Sequence, residues 1–376
     1  LPGLVNFIMT ISMRRRRYLA HFVGRLDPLR GLLACLRGEL PARADWTAII
    51  TLANKTLCSP TVAVRLSDAG RLADLPADVR LFLDEMERRN AERNCRLLVQ
   101  LDEAAAVMNA QGVSPILLKG TAWLAQSPPQ QRSARMLADV DLMVEADRFG
   151  AAIEQLRSIG YRLETPDLPP GVPAVLSRPQ DAATIDLHSE YGSPSTLFYR
   201  HADLASAARE VKLPGSTVLL PSPVACTAIL LLHDQLKGRD YLRGRIDLRH
   251  LLDMQSYTAQ FGERDWRELD RLFSSAYARN AMRTQLLTAR KLLGMEAPRA
   301  VTRGVRARLQ YGRRLIQLRW PGTAPLLTLL SLLDPCYLAA RRASRRTGRD
   351  GATDEAGLPR RGSLERLFIR NELGKI

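Results

Sequence analysis

The stretch Asp139-Val140-Asp141-Leu142-Met143-Val144 decides how this chain is read. A strand has a side-chain period of two, so as a strand it sends Asp139 and Asp141 to one face and Val140 and Leu142 to the other. Two acids on a solvated edge strand would have polar neighbours. Here the neighbours are apolar, and an unpaired carboxylate among them is costly. Ile185-Asp186-Leu187-His188 has the same build and reads as a neighbouring strand. Three carboxylates on one sheet face repel one another and resist ionising. Hard oxygen ligands of this kind suit Mg²⁺ or Mn²⁺. Two such ions about 3.5–4 Å apart are the apparatus of phosphoryl and nucleotidyl transfer.

Outward from that stretch, Val113 to Leu118 reads as a short buried strand after Gly112, which ends the preceding helix. Lys119-Gly120-Thr121 is a turn, and Thr121 to Gln126 opens a helix. A Gly at such a place lets backbone N–H groups approach a phosphate. Ser127-Pro128-Pro129-Gln130-Gln131 reads as a polar, flexible loop. Asp147 is placed to cap a helix from Arg148 to Ile159, with Phe149, Ile153, Leu156 and Ile159 on one face. Gly160 stops it, Tyr161 to Glu164 starts a strand, Pro166 to Pro173 is a loop, and Ala183 to His188 is the third strand of the motif. The order β-α-β-α-β-β makes a small mixed sheet with helices on one side, an α+β fold.

The combination of Leu118-Lys119-Gly120, Arg135-x-x-x-Asp139-x-Asp141 and Asp186-Leu187-His188 resembles the bacterial nucleotidyltransferase family proteins, within the superfamily that shares the DNA polymerase β-type fold. The likeness runs from about Val113 to His188, and more weakly through His233 and Asp247 to Asp253. It implies metal-dependent movement of an NMP from an NTP to an acceptor, with release of pyrophosphate. Asp139 and Asp141 would be ligands shared by two Mg²⁺ (or Mn²⁺) ions. Asp186 would hold one ion and orient or deprotonate the attacking hydroxyl. Lys119, Gly120, Thr121 and Arg135 would meet the nucleotide phosphates, with Arg132 as an alternative to Arg135. Where the superfamily commonly has Gly-Ser or Gly-Gly, this chain has Lys119-Gly120-Thr121, and Asp139 lies 19 positions after Gly120. His188 shares a strand face with Asp186. It is read either as a partner of Asp186 or a phosphate, including in proton transfer, or as a structural histidine. His233 and His250 read as packing or capping residues. The acceptor is open: a small molecule, a peptide, a protein side chain or an RNA end. The alternative reading is a nucleotide-binding or scaffold protein that kept the fold and lost turnover.

Four regions are expected: helical 1–110, a nucleotidyltransferase core 111–222, helical 223–340, and a basic, partly disordered tail 341–376. The formal charge of +16 sits at the ends. Residues 1–40 hold seven arginines against Asp27 and Glu39, and residues 301–376 hold sixteen Arg and Lys against six acids. The 260 residues between them carry a net +1. Basic ends suit nucleic acid or another acidic partner, or are simply a solvated Arg-rich surface. Five scattered cysteines with no CxxC pair favour neither zinc nor a disulfide framework, and fit a cytoplasmic protein. The apolar Leu1–Met13 precedes Arg14–Arg17, the reverse of a secretory signal, and reads as an over-extended gene start. Ala324 to Ala340 is too short for a span of about 20 apolar residues and is expected to be a buried helix pair, with an interfacial helix as the alternative. There is no P-loop, Gly-x-Ser-x-Gly or His-Glu-x-x-His, which disfavours the common ATPase, hydrolase and zinc-protease chemistries.

Overall fold

The computed structural model describes residues 26–164, 172–193, 197–346 and 374–376. The apolar start, Arg14–Arg17, and the linker expected over 347–361 lie outside the described residues. The chain opens with three ten-residue helices, α1 (Asp27–Leu36), α2 (Trp46–Lys55) and α3 (Ser59–Asp68). Asp45 caps α2 by accepting from the Ala48 N–H at 3.0 Å. A 33-residue helix, α4 (Ala77–Asn109), follows. Gly112, at φ +73°, lets the Val113 N–H reach back to the Met108 carbonyl at 3.0 Å and closes its end.

Beyond it come β1 (Ile116–Leu117), α5 (Lys119–Gln126), β2 (Asp139–Met143), α6 (Phe149–Ser158), β3 (Arg162–Leu163), β4 (Ala174–Ser177) and β5 (Thr184–His188). Then follow β6 (Glu190–Ser193), β7 (Leu197–Arg200), α7 (His201–Ala205), β8 (Arg209–Lys212) and β9 (Thr217–Leu220). Seven strands form one mixed sheet in the order β3-β4-β5-β2-β1-β9-β8, and β6 and β7 form a separate hairpin. β2 is central, parallel to β5 and antiparallel to β1. The fold is therefore α+β, with a larger sheet than the motif pattern suggests. β4, β8, β9 and the hairpin lie in stretches without alternation strong enough to announce them.

Two expectations fail locally. Asp147 does not cap α6: the helix starts at Phe149, and no side chain bonds its first turn. The segment after α5 is not a loose loop. Pro129–Ala134 forms a 3-10 turn whose carbonyls are held from below. Asn90 Nδ2 donates to the Ser133 carbonyl at 2.6 Å, Asn94 Nδ2 to the Arg132 carbonyl at 2.7 Å, and Thr61 Oγ1 to the Ala134 carbonyl at 2.7 Å. α4 fastens the sheet in the same way. Gln100 Nε2 donates to the Ala183 carbonyl at 2.7 Å, and Asn109 both accepts from and donates to the Thr217 backbone.

The C-terminal part is helical. α8 (Pro223–Leu231) is capped by Ser222 and runs on as a π-helical segment, Leu232–Lys237. It is followed by α9 (Asp240–Arg243), α10 (Leu248–Thr258), α11 (Glu263–Leu272), α12 (Ala276–Leu293) and α13 (Arg299–Thr302). α14 (Val305–Arg319), α15 (Ala324–Ser331) and α16 (Pro335–Arg346) finish the described helices. The segment expected to be a buried helix pair is a helix pair bent by 50°, but it is not buried: Leu326, Leu329, Leu330 and Leu333 are exposed. No single helix among the described residues is long and apolar enough to cross a membrane. Gly374–Ile376, assigned from sequence to a basic tail, is docked. Ile376 and Ile246 exchange two backbone hydrogen bonds at 2.9 and 3.0 Å, and Lys375 Nζ lies 2.8 Å from Asp240 Oδ2. Buried apolar side chains form one connected core from Leu29 to Tyr337, so the helical flanks and the sheet share an interior.

Candidate active site

Strands β2 and β5 run parallel with Asp141 opposite Asp186 and Asp139 opposite Thr184. Val140, Leu142, Ile185 and Leu187 are all buried on the other face. The period of two therefore brings three carboxylates together, with one oxygen of each of Asp139, Asp141 and Asp186 lying within 4.8 Å of the others. Asp141 is buried, while Asp139 and Asp186 are half-buried.

The charges are unequal. Lys119 Nζ contacts Asp141 Oδ1 at 2.5 Å, and His188 Nε2 approaches the same oxygen at 3.4 Å. Burial pushes Asp141 up, but Lys119 and the His188 hydrogen bond overcome it and hold the carboxyl at about 2. Burial and the neighbouring Asp141 raise Asp139 above the ordinary range, and burial with Asp141 and Asp139 pushes Asp186 to about 6. Burial works against the Lys119 ammonium, yet Asp141 and Asp139 keep it above its ordinary value. His188 is pushed down to about 4, first by burial, and is neutral near pH 7. Its Nδ1 is buried without a hydrogen-bond partner.

These residues fit a hard divalent cation. The donor set is carboxylate oxygen alone, and two of the three carboxyls are held back from ionising by burial and by one another. Lys119 is the contact cation on Asp141 in this arrangement.

The turn before the site differs from the sequence expectation. α5 begins at Lys119, whose backbone is left-handed at φ +46°, a conformation uncommon for a residue with a side chain. Thr121 is buried, and its hydroxyl oxygen accepts the Asp141 N–H at 2.9 Å, which ties α5 to β2. A Cβ on Gly120 would lie 3.2 Å from Leu137 Cγ and 3.5 Å from Arg135 Nη2. Its missing side chain thus makes room for the returning segment. Arg135 is buried with Nε 3.0 Å from Asp253 Oδ2, so that edge of the guanidinium is committed to α10. Its charge still lowers Asp139, behind that of Lys119. Arg132 Nε donates to the Ser127 carbonyl at 3.1 Å.

Around these residues lie Tyr191, Lys237 and Arg93, which carry no motif signal, and the histidines of the weaker likeness. Tyr191 packs edge-on against His188 with ring centroids 5.2 Å apart, and its hydroxyl meets His233 Nδ1 at 3.0 Å. Lys237 Nζ lies 4.4 Å from the Tyr191 ring centroid, brought there by the π-helical segment. His250 Nδ1 is 2.8 Å from Asp234 Oδ1, and Asp247 caps α10 by accepting from Arg249 N–H at 2.9 Å. Arg93 donates to the carbonyls of Leu137 and Ala182, the approaches to β2 and β5. One sign of this was readable: the buried stripe of α4 passes from Leu83 through Asn90 and Asn94 to Leu97, a polar break in an apolar face.

No curated protein matches this sequence. Among solved structures, the solution structure of the antibiotic-resistance factor ANT(2'')-Ia matches at 12% identity and a TM-score of 0.36, covering 47% of this chain and 91% of that one. A crystal structure of ANT(2'')-Ia in complex with adenylyl-2''-tobramycin matches at 13% identity and a TM-score of 0.34, covering 47% and 94%. The family of uncharacterised nucleotidyltransferases matches residues 42–294, a span that takes in α2 to α12 and all three carboxylates. With more than half of its length matched, the chain belongs to that family of uncharacterised nucleotidyltransferases.

Proposed function

We propose that the protein moves an NMP from an NTP to an acceptor and releases pyrophosphate, with Asp139, Asp141 and Asp186 as the ligands of two Mg²⁺ or Mn²⁺ ions. The observation that carries this reading is the meeting of three carboxylate oxygens within 4.8 Å on two parallel strands of a chain in this family. When bound, the ions would offset phosphate charge and sharpen the attacking oxygen.

The chain's own residues have distinct parts. Lys119 keeps Asp141 ionised, so one ligand is ready at any physiological pH. Asp186, on the strand beside Asp141, would hold one ion and orient or deprotonate the acceptor hydroxyl. His188 is neutral and steadies Asp141 through Nε2. Arg135, with Asp253 fixing its Nε edge, adds positive potential beside Asp139. Most of the rate would come from positioning and charge neutralisation.

The second reading, a nucleotide-binding protein with little turnover, is favoured by one specific arrangement: Thr121 and Gly120 are occupied by packing. One experiment separates the two. Purified protein is given each of four NTPs with Mg²⁺ or Mn²⁺, alongside Asp139→Ala and a candidate acceptor panel, and pyrophosphate is measured. Release by wild type alone supports transfer and names the base. No release, together with Mg²⁺-dependent NTP binding by calorimetry, favours the binding protein.

A further inference from the structure

Helices α14 and α15 are turned inside out. They lie side by side and antiparallel. Arg306 pairs with Asp334 at one end, and Arg313 Nη1 donates to the Leu327 carbonyl at 3.2 Å in the middle. Gln317 Nε2 donates to the Ala324 carbonyl at 3.4 Å at the other end. The face they turn toward the protein is polar. Arg314 is fully buried and donates to Gln285 Oε1 and Thr288 Oγ1, both at 2.8 Å. Arg313 is buried and donates to the Leu242 carbonyl at 2.7 Å, while Thr328 and Ser331 are buried beneath α15.

The face turned outward is apolar. On α14 it shows Val305, Leu309 and Ile316. On α15 it shows Leu326, Leu329 and Leu330, a spacing of three and four that lines one side of a helix, with Leu333 in the turn that follows. The exposure is large: 74% for Val305, 65% for Leu333, and 58% for Trp320 at the turn between the helices. Helices packed on a protein core usually bury such a stripe, and exposed apolar side chains grouped on neighbouring helices mark a contact surface. Arginine rims it. Arg303, Arg308, Arg319 and Arg342 are exposed, and Asp334 is the single acid of residues 301–346.

We infer that this face docks on an anionic lipid bilayer, with the leucines and Trp320 at headgroup depth and the rim arginines on lipid phosphates. Two short helices lying flat, apolar below and cationic around, have the build of an interfacial anchor rather than a span. The other occupants satisfy half of the pattern. Nucleic acid matches the arginines but offers the leucines nothing. A second copy matches the leucines but sets one arginine rim against another. The inference stands apart from the transfer reaction and survives its failure.

The test uses the full chain in vesicle co-sedimentation, with phosphatidylcholine alone and with phosphatidylcholine plus phosphatidylglycerol. Wild type is expected to pellet with the anionic vesicles, and less so as salt rises from about 0.1 to about 0.5 M. Leu326→Glu with Leu330→Glu is expected to weaken partitioning roughly tenfold or more, with the melting temperature changed far less because more than half of each residue is already exposed. Arg308→Glu with Arg319→Glu is expected to act in the same direction. Three results would each overturn the inference: no sedimentation with either vesicle, equal sedimentation with both, or no response to the leucine changes. A dimer in light scattering that the leucine pair converts to monomer would assign the face to a second copy instead.

Discussion

Asp141 stays ionised because Lys119 lies 2.5 Å away, and the two side chains are almost closed off from water. Lys119→Met removes one half of a buried pair and is expected to lower stability by about 3–5 kcal/mol in urea unfolding. Mg²⁺ should restore part of that loss in the variant, since a divalent cation answers the same carboxylate. Asp141→Asn is expected to slow pyrophosphate release by at least about a hundredfold, or roughly 2.7 kcal/mol of barrier. A variant within twofold of wild type would remove Asp141 from the ligand set. Asp186 sets a pH dependence of opposite sign to the usual salt-bridged acid. Its folded value of about 6 lies above the ordinary 3.8, so the folded state holds the proton more tightly than the unfolded chain. Its stabilising share is present below about pH 4 and is lost as pH rises through about 6. Metal-free protein should therefore lose this share between those values. Asp186→Asn should flatten that part of the urea profile, and Mg²⁺ should raise the melting temperature at pH 7.5 more than at pH 5.

At the scale of elements, α4 is the part whose importance is hidden in the sequence. Its Asn90, Arg93 and Asn94 take the carbonyls of Arg132, Ser133, Arg135 and Leu137, the segment that enters β2. Asn94→Leu leaves buried carbonyls short of a donor, at about 1–3 kcal/mol. It is expected to raise hydrogen exchange across 129–138 before it affects the sheet, and to slow transfer without removing a ligand. Unchanged exchange there would mean that α4 is only packing. Strands β2 and β5 were readable because each is a short apolar run with an aspartate at the right period. β8 and β9 were not, because two strands of four residues, one of them at the sheet edge, hold no pattern that a loop could not also hold.

Among the described residues, Gly374–Ile376 is tied back to the N-terminal helices and to the C-terminal helical part. Gly374 N–H donates to the Lys55 carbonyl of α2 at 2.9 Å, and Lys375 reaches Asp240 beside the π-helical segment that carries His233 and Lys237. Lys375→Met should lower the single unfolding transition by about 2 kcal/mol or more, because it takes an ammonium from a buried carboxylate. If only a local segment loosened, with the main transition unmoved, the C-terminal residues would be an ornament on the fold.

The sequence by itself determined the local chemistry: two aspartates two apart on a strand, a third in a matching strand, and a Gly turn ahead of them. These follow from periodicity and side-chain type, which a short window contains. Which cation meets Asp141, what crowds Gly120, what holds the segment before Asp139 and which way α14 and α15 face are set by packing that no short window contains. Each of those depends on groups tens to hundreds of residues apart, such as Arg135 with Asp253 or Arg314 with Gln235. Burial and direction are properties of the packed chain, and the same Leu-rich, Arg-rich stretch is consistent with either face turned to the core until its neighbours are in place.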